Sequence, residues 1–200
     1  MAVEYHLRDL NPDMAAAWRV QLGHEPALTV SCGDILSVSA DAIVSPANSF
    51  GFMDGGIDRV YRAFFGWSLS ARLQEHLWEH HGGELPVGCA VIIPTGHATT
   101  RWLISAPTMR ISGDVAQTVN ADLAFRAVLR AVDAFNNDNA RIRSVLCPGL
   151  CTAVGRMPEQ RCADQMRAAW EQHAAPRRYR SLGEAGMEHR RLLRPQHLSR

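Results

Sequence analysis

Two glycine-containing loops in this 200-residue chain have the composition of an anion-binding site. Gly55 and Gly56 come directly before a stretch with helical periodicity, and the second loop runs from Gly149 to Gly155, shortly before a helix predicted at Pro158. Glycines let a backbone approach a ligand closely, and the free N–H groups of a helix's first turn carry the positive end of its dipole. The two loops, each following an apolar strand-like run, therefore predict a clamp for a diphosphate.

A second candidate for chemistry is a metal site. His76, Glu79 and His80 fit the H-x-x-E-H pattern of one class of zinc peptidase, in which histidines one helical turn apart bind zinc. The same helix has an apolar face formed by Leu69, Leu73 and Leu77. This face would be buried, which would leave the two histidines and the glutamate exposed to solvent. A zinc peptidase is therefore kept only as an alternative, because short motifs often match by chance.

The composition excludes several mechanisms. All 21 basic residues are arginine, so a Schiff base, a lysine nucleophile and the lysine of a P-loop are impossible. The net charge of +1 provides no broad basic surface for a nucleic-acid backbone. No apolar run reaches the ~20 residues of a membrane span. The N-terminus has no charged segment followed by an apolar one, so we expect a cytoplasmic protein that does not contact a membrane.

Strand-like and helical patterns alternate along the chain. Six runs rich in branched and aromatic residues are bounded by Gly, Pro or Asp, at 3–10, 27–32, 41–46, 87–95, 101–107 and 141–148. Amphipathic helical patterns lie between them. This alternation predicts a three-layer α/β/α sandwich with a largely parallel sheet of about six strands. Ligands of such sheets bind beyond the carboxyl ends of the strands, where both glycine loops are expected.

We predict one domain over residues 1–173, with an extra strand and helix at 1–26, followed by a tail. Residues 174–200 contain seven arginines and two glutamates, a charge of +5, which leaves −4 for the rest of the chain. The tail shows no strand and little apolar patterning. It is therefore predicted to be mobile, with a single helical turn near residues 187–193.

Five segments of the chain together resemble a macro domain, the ADP-ribose-binding module. They are GDI at 33–35, DAIVSPAN at 41–48, GGID at 55–58, LPVGCAVIIPTG at 85–96 and PGLCTAVGRMP at 148–158. Their order and spacing match the family over residues 27–173. The resemblance implies a mixed six-stranded sheet between helices and a protein that binds ADP-ribose or an ADP-ribosylated substrate without a cofactor.

The resemblance also implies roles for individual residues. Asp34 would accept a hydrogen bond from the adenine amino group with backbone support from Ile35, or it would only cap a turn. Asn48 would orient the distal ribose. The other ligand-binding residues would be Ala47, Gly55, Gly56 and Ile57 on one side, and Gly149, Leu150, Cys151, Thr152, Ala153, Val154 and Gly155 on the other.

Asp58 falls where hydrolytic members of the family keep an acidic residue. The helix N-terminus is expected to lower its pKa, so that an ionised Asp58, together with Asn48, would support hydrolysis of ADP-ribose from a protein, nucleic acid or small metabolite. Its purely structural role would be that of an acid in the first turn of a helix. Four positions depart from the family pattern: Asp54, Arg62, Ala153 and Gly155. The alternative is a reader that binds ADP-ribose without hydrolysing it.

Other side chains are weaker candidates for the same ligand. Arg101 and Arg110, at the two ends of a predicted strand, could neutralise a pyrophosphate or simply lie at the surface. Trp67, Trp78 and Trp102 could stack on adenine or occupy core and partly buried positions.

Overall fold

The strands of the chain form one sheet in a computed structural model that describes residues 2–139 and 142–194. In chain order they are β1 (Glu4–Asp9), β2 (Leu28–Cys32), β3 (Ala42–Ser45), β4 (Val91–Pro94), β5 (Trp102–Ser105) and β6 (Ser144–Cys147). The order in the sheet is β2-β1-β6-β3-β5-β4, and only β4 and β5 are antiparallel to each other. The predicted six strands and the mixed, largely parallel sheet are confirmed. Arg141, at the start of the last predicted strand, lies outside the described residues.

Helices cover both faces of this sheet. They are α1 (Pro12–Leu22), α2 (Gly56–Phe65), α3 (Ser68–His81), α4 (Asn120–Asn139), α5 (Glu159–Ala174) and α6 (Leu182–Leu193). Successive strand residues point to opposite faces, so Val44 packs in the core with α1, α4 and α5, whereas Ile43 packs with α2 and α3. The predicted three-layer sandwich is confirmed. Within the described ranges, no helix combines the length and the apolar character that crossing a bilayer requires.

The ends of the helices follow local signals in the sequence. Asn11 caps α1 by accepting a hydrogen bond from the Asp13 N–H, and Pro12 occupies the first turn. Gly66 follows α2, and Gly82 ends α3 in the left-handed conformation. Local residue choice therefore determines where the chain leaves each helix and enters the loops.

The apolar side chains of α2, the helix predicted after Gly56, lie in two different environments. Tyr61 is fully buried and donates a hydrogen bond from its hydroxyl to the Val44 carbonyl. Val60 and Phe64 are 49% and 47% exposed. Val60 belongs to the wall of a cleft rather than to the core, so the sequence pattern overstates how much of this helix packs on the sheet.

The segment predicted as a mobile tail contains a longer helix than the single turn expected near residues 187–193. Helix α6 begins at a cap in which the Ser181 hydroxyl accepts from the Glu184 N–H, while the Glu184 carboxylate accepts from the Arg180 N–H. Its Leu192 is buried, and the Gln165 amide on α5 donates to the Leu192 carbonyl. The prediction of a tail without packing is therefore wrong for residues 182–193, and residues 195–200 of that prediction lie outside the described part of the chain.

Candidate functional site

A cleft of about 490 Å³ opens beyond the carboxyl ends of the parallel strands. Its walls come from the end of β1, from the segments that follow β1, β2, β3, β5 and β6, and from the first turns of α2. Two of these segments face each other and are called here the first loop, residues 46–56, and the second loop, residues 148–158. This is the edge of the sheet at which the sequence predicts a ligand.

The structure places nearly all of the predicted site residues on the wall of this cleft. Asp34 and Ile35 follow β2; Ala47, Asn48, Gly55, Gly56, Ile57 and Asp58 belong to the first loop and the start of α2; Gly149, Cys151, Thr152, Ala153, Val154 and Gly155 belong to the second loop. Leu150 is the exception, because its side chain is buried in the hydrophobic core. The contacts of these residues with a ligand stay predictions.

The first loop is shaped by the Asn48 side chain. Its Oδ1 accepts hydrogen bonds from the N–H groups of Phe50 and Phe52, at 3.0 and 3.3 Å, and its Nδ2 donates to the Phe52 carbonyl at 2.7 Å. These bonds fold the loop back on itself before it reaches Gly55, the N-cap of α2. Asn48 therefore holds the shape of the first loop, in addition to its predicted role at the distal ribose.

Asp54 and Arg62, two of the positions that depart from the family pattern, form an ion pair. The Arg62 Nη1 lies 2.6 Å from the Asp54 Oδ1, and the Arg62 guanidinium also lies over the Trp67 ring, 4.3 Å from its centroid. Asp54 belongs to the first loop and Arg62 to the last turn of α2. The ion pair thus ties the loop to the helix that follows it.

The second loop is closely packed against the rest of the chain. The Gly149 N–H donates to the Asp9 Oδ2 at 2.9 Å, and the Val115 N–H donates to the Gly155 carbonyl at 3.0 Å. Cys151 has a positive φ of 66°, and its carbonyl accepts from the Met157 N–H. A side chain on Gly155 would place its Cβ 2.4 Å from the Cys151 carbonyl oxygen, so the loop has no room for a larger residue at this position.

Asp58 lies in the first turn of α2, with only 7% of the residue exposed. Its Oδ1 accepts a short hydrogen bond from the buried Ser45 hydroxyl. Burial raises the pKa of Asp58 to about 6, while the Ser45 hydrogen bond acts in the opposite direction. The expected lowering of this pKa by the helix N-terminus is wrong, because loss of solvation outweighs the helix dipole at a buried carboxyl group.

Asp34 caps a single turn of 3-10 helix at Ile35–Ser37 at the opposite end of the cleft. Its Oδ1 accepts from the Leu36 N–H at 2.9 Å, which confirms the turn-capping role. Its contact with an adenine amino group stays a prediction.

Sequence reasoning missed the part of the wall that comes from β1. Arg8, Asp9, Leu10 and Asn11 all border the cleft. β1 pairs in parallel with both β2 and β6, so its carboxyl end lies at the same edge as theirs. The rule that placed the two loops at this edge would also have placed residues 8–11 there, had β1 been assigned to the parallel part of the sheet.

The other candidate residues lie elsewhere. Arg101 pairs with Asp41, before the start of β3 and thus at the opposite edge of the sheet, and Arg110 pairs with Glu84. Neither lines the cleft in the described structure, so the pyrophosphate role is wrong for both.

The three tryptophans are also absent from the described cleft wall. Trp67 and Trp78 are 75% and 71% exposed, which contradicts a core or partly buried position for these two. Trp102 is partly buried and packs against Phe135.

The histidines of the zinc-peptidase pattern lie on the outer side of α3. The His76 and His80 rings are 4.6 Å apart, and burial together with the neighbouring His80 and His81 lowers the pKa of His76. Among residues 2–139 and 142–194, no three His, Cys, Asp or Glu side chains converge as metal ligands. The pattern thus lacks a third protein ligand in the described structure.

The fold and cleft together define an α/β/α domain whose glycine loops and helix N-terminus suit a phosphate-containing ligand. A family model described as the macro domain matches residues 44–166. The chain belongs to the macro domain family, which binds ADP-ribose.

Individual relatives agree with this assignment. The chain is 32% identical to a macro domain-containing protein of Streptomyces coelicolor over 133 residues, 66% of this chain and 75% of that protein. It is 31% identical to O-acetyl-ADP-ribose deacetylase 1 of Pantoea vagans over 137 residues, 68% and 76% of the two chains.

Solved structures share the fold. The macrodomain of Mycobacterium tuberculosis DarG is similar with a TM-score of 0.59 and 22% identity, over 72% of this chain and 90% of that one. An Oceanobacillus iheyensis macrodomain mutant with ADPR is similar with a TM-score of 0.55 and 22% identity, over 69% and 74% of the two chains.

Proposed function

We propose that the protein binds ADP-ribose in this cleft and removes it by hydrolysis from an ADP-ribosylated protein, nucleic acid or small metabolite. The observation that carries the proposal is Asp58, a buried carboxyl group on the cleft wall beside the glycine N-terminus of α2. The name of the Pantoea vagans relative, an O-acetyl-ADP-ribose deacetylase, supports the hydrolytic part.

The binding part of the proposal rests on the shape and polarity of the cleft. Its volume of about 490 Å³ falls within the range typical of small-ligand sites. The adenine would lie near Asp34, and the diphosphate between Gly55-Gly56 and the second loop. The distal ribose would then reach Asn48 and Asp58. Backbone N–H groups and the dipole of α2 would offset the negative charge of the phosphates.

The chemical step that we propose uses Asp58 as a general base. A pKa near 6 leaves the carboxylate mostly ionised at neutral pH yet basic enough to accept a proton. The Ser45 hydroxyl fixes one carboxylate oxygen. Water would attack the anomeric carbon of the distal ribose and lose its proton to Asp58, while the bond from that carbon to the attached group breaks and the attached group leaves with the bonding electron pair. Asp58 would then return the proton to the departing group.

The test is release of ADP-ribose from a defined substrate in which the anomeric carbon is linked to another group, such as a peptide modified on glutamate. Asp58→Asn is expected to lower turnover about 100-fold or more, with a much smaller change in affinity for ADP-ribose. Below pH 6 the rate of the parent should fall as Asp58 becomes protonated. Asp13→Asn, a change in the exposed first turn of α1, is the matched control and should leave turnover unchanged.

A reader without catalysis is the second candidate, and the Asp54–Arg62 ion pair favours it. This pair occupies the positions of a family glycine and histidine and fixes the first loop beside the cleft. Purified protein that binds ADP-ribose but releases none from ester-linked, nucleic-acid-linked or acetylated substrates would establish the reader and refute the hydrolase.

A further inference from the structure

In the described structure, no aromatic side chain lines the cleft at its Asp34 end. Phe52 is the one aromatic side chain that the described structure places on the cleft wall, and it belongs to the first loop beside Asn48. A purine bound near Asp34 would therefore need a flat partner of another kind. Arginine is the non-aromatic side chain that provides one, because its guanidinium is planar and stacks on aromatic rings.

Arg8 is the arginine at this end of the cleft, and its guanidinium is held in one orientation. Its Nε donates to the Asp34 carbonyl at 2.9 Å, its Nη1 to the Ser31 hydroxyl at 2.7 Å and its Nη2 to the Ser37 hydroxyl at 3.1 Å. The N–H bonds of a guanidinium lie in its plane. Three hydrogen bonds from three different nitrogens therefore fix that plane and occupy its edges.

Gly33 covers one of the two faces of this plane. A Cβ built on Gly33 would lie 2.5 Å from Nη2, 3.0 Å from Cζ and 3.5 Å from Nη1 of Arg8. Such similar distances to three atoms of the group indicate an approach from above the plane rather than from beyond its edge. Arg8 also lines the cleft. With its edges bonded and one face against Gly33, the other face of its guanidinium is the one left for a ligand.

We propose that this free face of Arg8 is the surface on which the base of the ligand stacks, so that Arg8 and Asp34 select a purine together. The inference rests on the proposed binding of ADP-ribose and adds a residue that contacts the base. The bond from Arg8 Nε to the Asp34 carbonyl joins the stacking surface to the turn that presents the Asp34 carboxylate. The two contacts to the base would thus be held in fixed relative positions.

The test is calorimetry on Arg8→Lys, which keeps the charge but removes the planar face. We expect its affinity for ADP-ribose to fall about tenfold or more, in line with the loss of one stacking contact. Its affinity for inorganic pyrophosphate, which has no base, should stay within about twofold of the parent. Arg19→Lys, an exposed change in the last turn of α1, is the matched control and should bind both ligands like the parent.

A third ligand separates stacking from a purely positioning role. The inosine analogue of ADP-ribose lacks the amino group that Asp34 would bind but keeps the flat base, so Arg8→Lys should weaken it by the same factor. Weakening of the adenine ligand alone would show that Arg8 acts only through Asp34 and would overturn the stacking inference. Equal losses for ADP-ribose and pyrophosphate would show that the guanidinium of Arg8 acts on the phosphate part of the ligand and would overturn the stacking inference as well.

The same measurements distinguish this inference from the proposed function. A parent protein that shows no heat with ADP-ribose refutes both. A parent that binds while Arg8→Lys binds equally well refutes only the role of Arg8. Thermal melting of Arg8→Lys, compared with Arg19→Lys, checks that both variants are folded when these results are read.

Discussion

The first and second loops both line the cleft, and each has two glycines on the cleft wall, for different physical reasons. A Cβ added to Gly55 or Gly56 would meet no atom within 4 Å. A Cβ added to Gly149 or Gly155 would lie 2.7 Å from the Thr152 hydroxyl or 2.4 Å from the Cys151 carbonyl oxygen. Among these four glycines, internal packing therefore requires glycine only at the two positions of the second loop. At Gly55 and Gly56 of the first loop, the absence of a side chain instead leaves open space beside the backbone, where a ligand would approach.

Gly155→Ala should give the largest effect, because it forces a methyl group into the closed second loop. We expect the free energy of unfolding to fall by about 2 to 3 kcal/mol, and the Tm to fall by roughly 5 to 10 °C for a domain of this size. Urea and thermal unfolding measure both. Gly183→Ala in α6, where the nearest atom is 3.7 Å away, is the control that should not destabilise the protein. Equal stability of Gly155→Ala and the parent would remove the packing explanation.

The two loops should also differ in their response to pH. Asp58 follows the first loop with a pKa of about 6, whereas burial raises the pKa of Cys151 in the second loop to about 12, so the thiol stays neutral. The folded state binds the Asp58 proton more tightly than the unfolded chain does. The stabilisation is thus fully present below the unfolded pKa of 3.8 and is lost as the pH rises through about 6.

Asp58→Asn removes this titration and measures it directly. The variant should become more stable than the parent as the pH rises from 4 to 7, by roughly 2 to 3 kcal/mol at the upper end. Urea unfolding of both proteins at several pH values is the measurement. A stability difference that stays constant with pH would show that Asp58 ionises as freely in the folded protein as in the unfolded chain.

Gly55→Ser should separate binding from stability in the first loop. Gly55 caps α2 without a side-chain hydrogen bond, and serine is a favoured residue at this position, so stability should stay the same or rise by a few tenths of a kcal/mol. The added side chain should nevertheless keep the ligand from the backbone and weaken ADP-ribose binding about tenfold, or ~1.4 kcal/mol. Unchanged affinity in calorimetry would mean that close approach to Gly55 is not required.

Gly56→Ala should have the smallest effect, a loss of stability caused by backbone strain. Gly56 has a φ of 54°, in the left-handed region, where an L-residue costs about 1 kcal/mol. Gly55→Ala, at a φ of −136°, is the matched control with no such strain. A loss of stability common to both variants would point to helix capping instead of backbone strain.

The sequence predicted the sheet and the edge at which the cleft lies, because both depend on local patterns. Branched runs bounded by turn residues identify strands, and the parallel arrangement places the loops after 45 and 147 at one edge. The raised pKa of Asp58 was beyond this reasoning, since it depends on how deeply the carboxyl group is buried once α2 packs on the sheet. The position of Arg8 also depends on pairing between β1 and β2, which no local pattern specifies.

The start of helix α6 could have been predicted from a local sequence pattern, whereas its packing on α5 could not. Ser181 and Glu184 form the S-x-x-E pattern of a helix start, which would have predicted more than one turn. Its packing depends instead on polar groups of α5: Arg161 donates to the Leu193 carbonyl and Gln165 to the Leu192 carbonyl. Hydrophobic periodicity cannot reveal a contact in which backbone carbonyls are bound by side chains.

The hydrogen bond from Gly149 to Asp9 joins residues 140 positions apart and connects the first strand to the last. Contacts between such distant segments form late in folding. Closing a long loop lowers the conformational entropy of the chain before the contact contributes any stabilisation. On the ribosome, β1 can pair with β2 early, but its other neighbour, β6, is made only after all the other strands of the sheet. We therefore expect nascent chains that end before β6 to have no binding cleft, so ligand capture on stalled ribosomes should begin only after Cys147 has emerged from the exit tunnel.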